Sequence, residues 1–325
     1  MKDLYFEENY GKLYENIENG TCETYEYHHV LGTVRHMFIK RLIPVLSHAE
    51  NYFDLVTPYG YGGPVILNCT NENKQELVEE FQTAFEGYCK KNNIVNEFVR
   101  FHPVLQNAPD FSGCYDLTFR RKTIGINLKD YDDPIQSEFS KSKQKSIQKS
   151  LKAGVEYKIT INPCNLDDFQ RMYFETMERK KADEVYFFGE KYFSRLLKYL
   201  GDHVLMVEII HEGEVIGMGL NFIYGKMIHI HLSGTRLDSH HLAPSVMLRY
   251  ALVKWGKENG MELIHEGGGK SGSPDDPLYV FKKQFGKNTE FNYYVSYKVW
   301  NEKIYEMLCN SVDADNKVGV FPTYQ

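Results

Sequence analysis

The residues of this chain best suited to chemistry gather toward its C-terminal half. Three consecutive glycines, Gly267, Gly268 and Gly269, allow close backbone approach and offer N–H donors to an anion or a carbonyl oxygen, though such a run can equally be a flexible connection. Beyond them Phe281-Lys282 sets an ammonium beside an aromatic wall, where it can contact a phosphate or a developing oxyanion; Lys283 is the alternative register. Glu266, just before the glycines, can orient or deprotonate an amine, or simply line a rim. In His229-Ile230-His231, strand alternation puts both imidazoles on one face. No cysteine or carboxylate is spaced to complete a metal site, so a cleft-lining pair is expected, with His231 a general-base candidate.

Three further groups stand out. Lys141, Lys145, Lys149 and Lys152 fall within about 80° of one another at helical pitch, giving either a solvated face or a patch for phosphates. Tyr59-Gly60-Tyr61-Gly62-Gly63 combines stacking rings with backbone freedom, as a ligand loop or a structural turn would. Arg179-Lys180-Lys181, followed by Tyr186-Phe187-Phe188, reads locally as a charged helix end beside buried aromatics.

The elements that must position these groups alternate between helix and strand. Strands are expected over His36 to Leu46, Val65 to Leu67 and Phe98 to Phe101, with a helix over Lys74 to Asn92. An antiparallel meander is expected from Val204–Ile210, Val215–Ile223 and Met227–Leu232. A helix then opens at Pro244 and closes at Gly260, and a strand over Met261 to His265 runs into the glycines. Cys114 to Leu128 is strand-like, and the turn-rich Asp130 to Pro134 suggests a boundary near residue 135.

A length of 325 residues suits about two domains, and 42% hydrophobic with 25% charged residues excludes a disordered, collagenous or coiled-coil chain. The net charge of -6 provides no global field to collect DNA or anionic lipid, so any basic site is local. Six widely separated cysteines fit neither a zinc knuckle nor a disulfide framework. Neither a signal-like N-terminus nor an apolar run of membrane-spanning length is visible, and a cytoplasmic location is expected.

Several segments together carry a resemblance: Thr57-Pro58-Tyr59-Gly60-Tyr61-Gly62-Gly63-Pro64, Arg100-Phe101-His102-Pro103, the lysine-rich helix ending Lys152-Ala153-Gly154-Val155, and the triple glycine followed by Phe281-Lys282. The chain resembles the GNAT superfamily, and within it the Fem-type aminoacyltransferases of peptidoglycan-bridge synthesis and their uncharacterised relatives. That resemblance implies an α/β fold with mixed sheets, as two tandem GNAT-like domains packed side by side with the acceptor cleft between them. Domain one would span residues 1–135, joined by the segment 301–325 that includes Phe321-Pro322, and domain two residues 136–300.

It also implies transfer of an acyl or aminoacyl group from an activated donor to an amine. Such transfer needs a neutral amine, a stabilised oxyanion and a protonated leaving group, but neither a covalent nucleophile nor a tightly bound cofactor. By this resemblance Lys282 and Phe281 match the family's functional Phe-Lys pair and Arg179 and Tyr186 lie on the acceptor side; on their local chemistry Tyr59, Tyr61, Lys145 and Lys149 are expected to bind substrate. The acceptor would be a cell-envelope precursor or another amine-bearing small molecule, with room for peripheral membrane contact.

One departure bears on the donor. GNAT enzymes that use acyl-CoA hold its pyrophosphate on a glycine-rich loop leading into a helix. Here the equivalent segment, Arg236-Leu237-Asp238-Ser239-His240-His241-Leu242-Ala243-Pro244, has no glycine, an aspartate and a proline. Aminoacyl-tRNA is therefore the favoured co-substrate and acyl-CoA the alternative, with a non-catalytic binding protein of the same fold as a third reading.

Overall fold

The computed structural model describes residues 3–44, 50–183 and 187–311; Tyr186, Phe321-Pro322 and the end of the first expected strand, Val45-Leu46, lie outside them. Two compact units emerge, one of residues up to Arg120 and from Asn292 onward, the other Arg121–Phe291.

The first unit opens with α1 (Glu8–Glu18), which buries Tyr10, Leu13 and Tyr14 at helical spacing. A hairpin follows, β1 (Thr21–His29) and β2 (Gly32–Ile43), then β3 (Tyr52–Val56) and β4 (Val65–Cys69), both antiparallel to β2. The helix expected from Lys74 is α2 (Lys74–Lys91), which buries Leu77, Val78, Phe81, Phe85 and Cys89 on a single stripe. It crosses over to β5 (Ile94–Arg100), parallel to β3, and the short α3 (Asn107–Asp110) comes next. Phe38, Leu55, Phe81, Phe85, Val99 and Phe111 make this unit's main core.

In the second unit come β6 (Thr118–Asn127), α4 (Pro134–Glu138), α5 (Lys141–Lys152), β7 (Glu156–Ile161), α6 (Asp167–Arg179) and α7 (Glu190–Leu200). The expected meander is present as β8 (Val204–His211), β9 (Glu214–Tyr224) and β10 (Met227–Thr235). Its first turn has φ of 51° at Glu212 and 81° at Gly213, the positive pair of a tight hairpin. Next are α8 (Pro244–Glu258), β11 (Leu263–Gly268) and α9 (Pro277–Lys283), with strands ordered β6-β11-β10-β9-β8-β7. Asp130–Pro134 falls inside this unit, where Pro134 opens α4. Strand β7 was not expected from the sequence, and β11 runs three residues beyond His265, so Gly267 and Gly268 are strand rather than loop.

The chain returns to the first unit with β12 (Glu290–Val299), antiparallel to β5, and α10 (Glu302–Ser311). There Glu97 is buried with its oxygens taken by His36, Tyr115 and Trp300, which offsets its desolvation. Among the described residues no helix is long and apolar enough to cross a membrane.

Candidate active site

Two bulges organise the second unit. Strands β10 and β11 run parallel and pair over Met227–His229 against Leu263–His265, beyond which each keeps only its antiparallel neighbour. At that depth β10 bulges at His231 against β9, and β11 bulges at Glu266 against β6. Bulges re-aim side chains, and here the two extra residues are two of the sequence candidates. The β11 bulge needs Gly267, whose φ of 74° disfavours any residue bearing a Cβ.

Glu266 is buried, and both its oxygens accept from Arg249 of α8, Nε to Oε1 and Nη2 to Oε2, each at 2.9 Å. Arg249 also donates to the Ser245 carbonyl at 3.2 Å. Its guanidinium lies 5.4 Å from the Phe281 ring centre and 5.3 Å from that of Phe285, and Lys143 of α5 sits 5.4 Å and 5.7 Å from the same rings. Both oxygens of Glu266 thus serve the Arg249 guanidinium.

Lys282 donates to the Gly268 carbonyl at 2.8 Å, joining α9 to the end of β11. Burial pulls its pKa down to about 8; Arg249 and Arg121 act in the same direction, Glu266 and Asp276 against it. At pH 7 it is still mostly an ammonium. Lys283 is turned to Glu290 at 2.7 Å, so only Lys282 faces the glycine strand. Asp276 fixes the start of α9, accepting from Leu278 N at 2.9 Å, Tyr279 N at 3.0 Å and Ser271 N at 2.7 Å. Burial opposes ionisation of Asp276, but these bonds hold its pKa down at about 2. Arg121 donates to the Gly269 carbonyl, and to that of Lys270 at 2.8 Å, fixing the turn after β11.

His231 lies elsewhere on the splay. Its Nε2 is hydrogen-bonded to the Tyr192 hydroxyl at 2.6 Å, and its ring stacks on Phe222 at 4.6 Å with Phe188 at 6.1 Å. Burial lowers its pKa to about 3, leaving a neutral ring that is a weak base. The bulge also gives the two imidazoles separate surroundings, since His229 meets His265 edge-on at 5.6 Å. A metal pair on one strand face is not what forms.

Arg179, ending α6, donates to the Thr235 carbonyl at 2.9 Å and so reaches the far end of β10. The pKa of Lys180 is lowered by burial and then by Arg179 and Arg249, extending the cation cluster. Gly234 lets α6 sit close, because a Cβ there would stand 2.7 Å from the Met172 carbonyl oxygen. Lys145 and Lys149 lie on the exposed face of α5. Tyr59 and Tyr61 belong to the first unit, Tyr59 stacked on Tyr14 at 5.6 Å and Tyr61 edge-on to Tyr5 at 5.3 Å. A cavity of about 750 Å³ lined by Cys164, Leu166, Phe174, Phe193 and Leu197 shares no residue with the Lys282 cluster.

Sequence reasoning missed Arg249, Lys143, Arg121 and Asp276. Two of them left signals: Arg249 is a charge within the apolar run Val246 to Val253, and Asp276-Pro277 is a helix-start pair.

Residues 137–283 match the acetyltransferase (GNAT) domain family. Over 218 residues the chain is 26% identical to the UDP-N-acetylmuramoylpentapeptide-lysine N(6)-alanyltransferase of Weissella viridescens, covering 66% of this chain and 60% of that enzyme. The chain thus spans less than two thirds of the length of this relative. The crystal structure of FemX superposes with a TM-score of 0.70 at 11% identity, covering 94% of each chain. The structure of L-PGS from Bacillus licheniformis gives a TM-score of 0.53 at 14% identity, covering 91% of this chain and 94% of that one. Residues 137–283 are thus similar to a GNAT acetyltransferase domain, and the chain shares the mixed α/β fold of FemX.

Proposed function

We propose that the chain is an aminoacyltransferase that moves an aminoacyl group from aminoacyl-tRNA to an amine of a cell-envelope precursor, on the cytoplasmic side where charged tRNA is found. The observation that carries this reading is the Lys282 ammonium, held against the Gly268 carbonyl beside Phe281 and kept poorly solvated. The acceptor nitrogen attacks the ester carbonyl, the C–N bond forms, and the C–O bond to the ribose breaks. The amine proton passes to the departing oxygen. Lys282 would stabilise the oxyanion of the intermediate and the leaving oxygen, where a fixed charge in a dry site acts strongly. The donor ester is already activated, so the chemistry calls for no tightly bound cofactor.

The turn before α8 supports tRNA over acyl-CoA. Leu242 N donates to the Ser239 carbonyl at 3.0 Å, Ala243 N to that of His240 at 3.0 Å, and Val246 N to that of Ala243 at 2.9 Å. Asp238 stands beside them, and Pro244 offers no N–H. These donors are spent within the turn, so a pyrophosphate would find few. The similarity to the Weissella viridescens alanyltransferase supports a cell-envelope amine as acceptor.

The test is single-turnover transfer from alanyl-tRNA to a lysine-containing muramoyl pentapeptide, run beside acetyl-CoA as donor. Wild type should transfer from tRNA, Lys282→Ala should lose at least a hundredfold, and Lys282→Arg should recover part of the loss. Transfer from acetyl-CoA alone, or undiminished transfer by Lys282→Ala, would sink the reading.

A further inference from the structure

Helix α5 is electrostatically one-sided. Its twelve residues, KSKQKSIQKSLK, hold five lysines and no acid. Lys141, Lys145, Lys149 and Lys152 are exposed, and among the described residues none of them pairs with a carboxylate. Like charges four residues apart repel, and lysines in the first turn oppose the helix dipole. The helix carries this arrangement because its other face is firmly anchored. Ile147 is buried, and Ser150 Oγ donates to the Leu242 carbonyl at 2.7 Å. Gln144 Nε2 donates to the carbonyls of Ile135, Gln136 and Phe139 at 3.2, 3.2 and 2.9 Å. Ser140 N donates to the carbonyl of Gln284, two residues beyond Lys282, at 2.8 Å. The fifth lysine, Lys143, turns inward over Phe281 and Phe285.

The stripe is therefore a rigid row of unpaired cations whose inner side touches the Phe281-Lys282 helix. We propose that the outer face of α5 is a docking surface for an RNA backbone, which it delivers toward Lys282; this rests on aminoacyl-tRNA being the donor. Four charges along about 16 Å of helix suit a strand with a phosphate every ~3.4 Å, and exceed what one small anion can engage. Ser142 and Gln148 flank the lysines, and the exposed Leu151 stands about 80° outside their sector, so the lysine face itself offers no side chain to enter a lipid surface. The overall charge of -6 leaves a local patch as the means of collecting a polyanion.

The test compares the full chain with a quadruple variant, Lys141→Gln, Lys145→Gln, Lys149→Gln and Lys152→Gln, whose exposed sites leave the fold in place, checked by its melting curve. Binding of an uncharged tRNA transcript is measured from 50 to 300 mM salt, beside vesicles of phosphatidylglycerol. The variant should bind tRNA at least tenfold more weakly, with a log–log salt slope shallower by about 3, each lost phosphate contact removing about 0.7 to 0.9. Equal binding and equal slope in the two proteins, or wild-type binding to vesicles and not to tRNA, would overturn the proposal. Lys282→Ala separates the two readings. If it binds tRNA normally but transfers nothing, the surface and the chemistry both stand. If wild type binds tRNA through the stripe yet transfers only from acetyl-CoA, the donor reading fails and the surface survives.

Discussion

Arg249 and Glu266 meet in a two-pronged ion pair, 2.9 Å at each prong, that ties the middle of α8 to the bulge of β11 beneath Phe281. A buried charge of either sign alone is costly, so neither residue tolerates loss of the other. The arginine of the pair also faces the rings of Phe281, the neighbour of Lys282 in α9, and of Phe285.

Arg249→Met should strand the Glu266 carboxylate and destabilise the chain by about 3–5 kcal/mol. Arg249→Met combined with Glu266→Leu should be far milder. Urea midpoints of both single variants and of the double variant check this, and a double loss equal to the sum of the two single losses would show that the two residues are not coupled.

Lys282 gives a pH signature in stability. Its pKa falls from the ordinary lysine value near 10.4 to about 8 on folding, chiefly by burial. Between those values the unfolded chain holds a proton that the folded chain has released, so stability rises with pH across that window. The wild type should therefore gain on Lys282→Met as pH goes from 8 to 10, and below pH 8 the variant should be at least relatively better off. Denaturation midpoints of both proteins measured over this range decide the matter.

Activity should show the opposite trend. If Lys282 acts as an ammonium, the single-turnover rate falls as pH rises through about 8, and Lys282→Arg moves that limb beyond pH 10 because guanidinium does not titrate there. A limb that stays in place in the arginine variant would assign it to another group.

His231 should be dispensable as a base. With a pKa near 3 it is neutral throughout the working range, so His231→Gln should leave the shape of the pH–rate profile unchanged. Losing the Tyr192 hydrogen bond and the stack on Phe222 should cost about 1–2 kcal/mol in stability. A vanished acidic limb in the variant would restore the catalytic role.

Asp276 joins the cap of α9 to acid stability. Its pKa is held near 2, below the ordinary 3.9, so it contributes stability above pH 4 that is lost as pH falls through 2. Asp276→Ala should cost about 1–2 kcal/mol at pH 7 and flatten the acid limb. It should also lower transfer by loosening Lys282, seen as a fall in kcat. A variant as acid-sensitive as wild type would contradict this.

By itself the sequence determined what local chemistry can determine. The stripe Leu77, Val78, Phe81 and Phe85 made a helix, the alternation in Val204–Leu232 with turns at Glu212-Gly213 and Gly225-Lys226 made the meander, and Pro244 and Gly260 bounded α8. The sequence also marked Phe281-Lys282, the glycines and the lysine face of α5. Only the tertiary structure decided which of these act together. Whether Glu266 is a base or the partner of Arg249 depends on a contact seventeen residues away across a helix and a strand. Whether His231 is a base depends on its burial, among Phe222, Phe188 and Tyr192, the last thirty-nine residues earlier. Proton affinity is set by burial and by charges brought near through folding, and residue type and spacing along a chain carry neither.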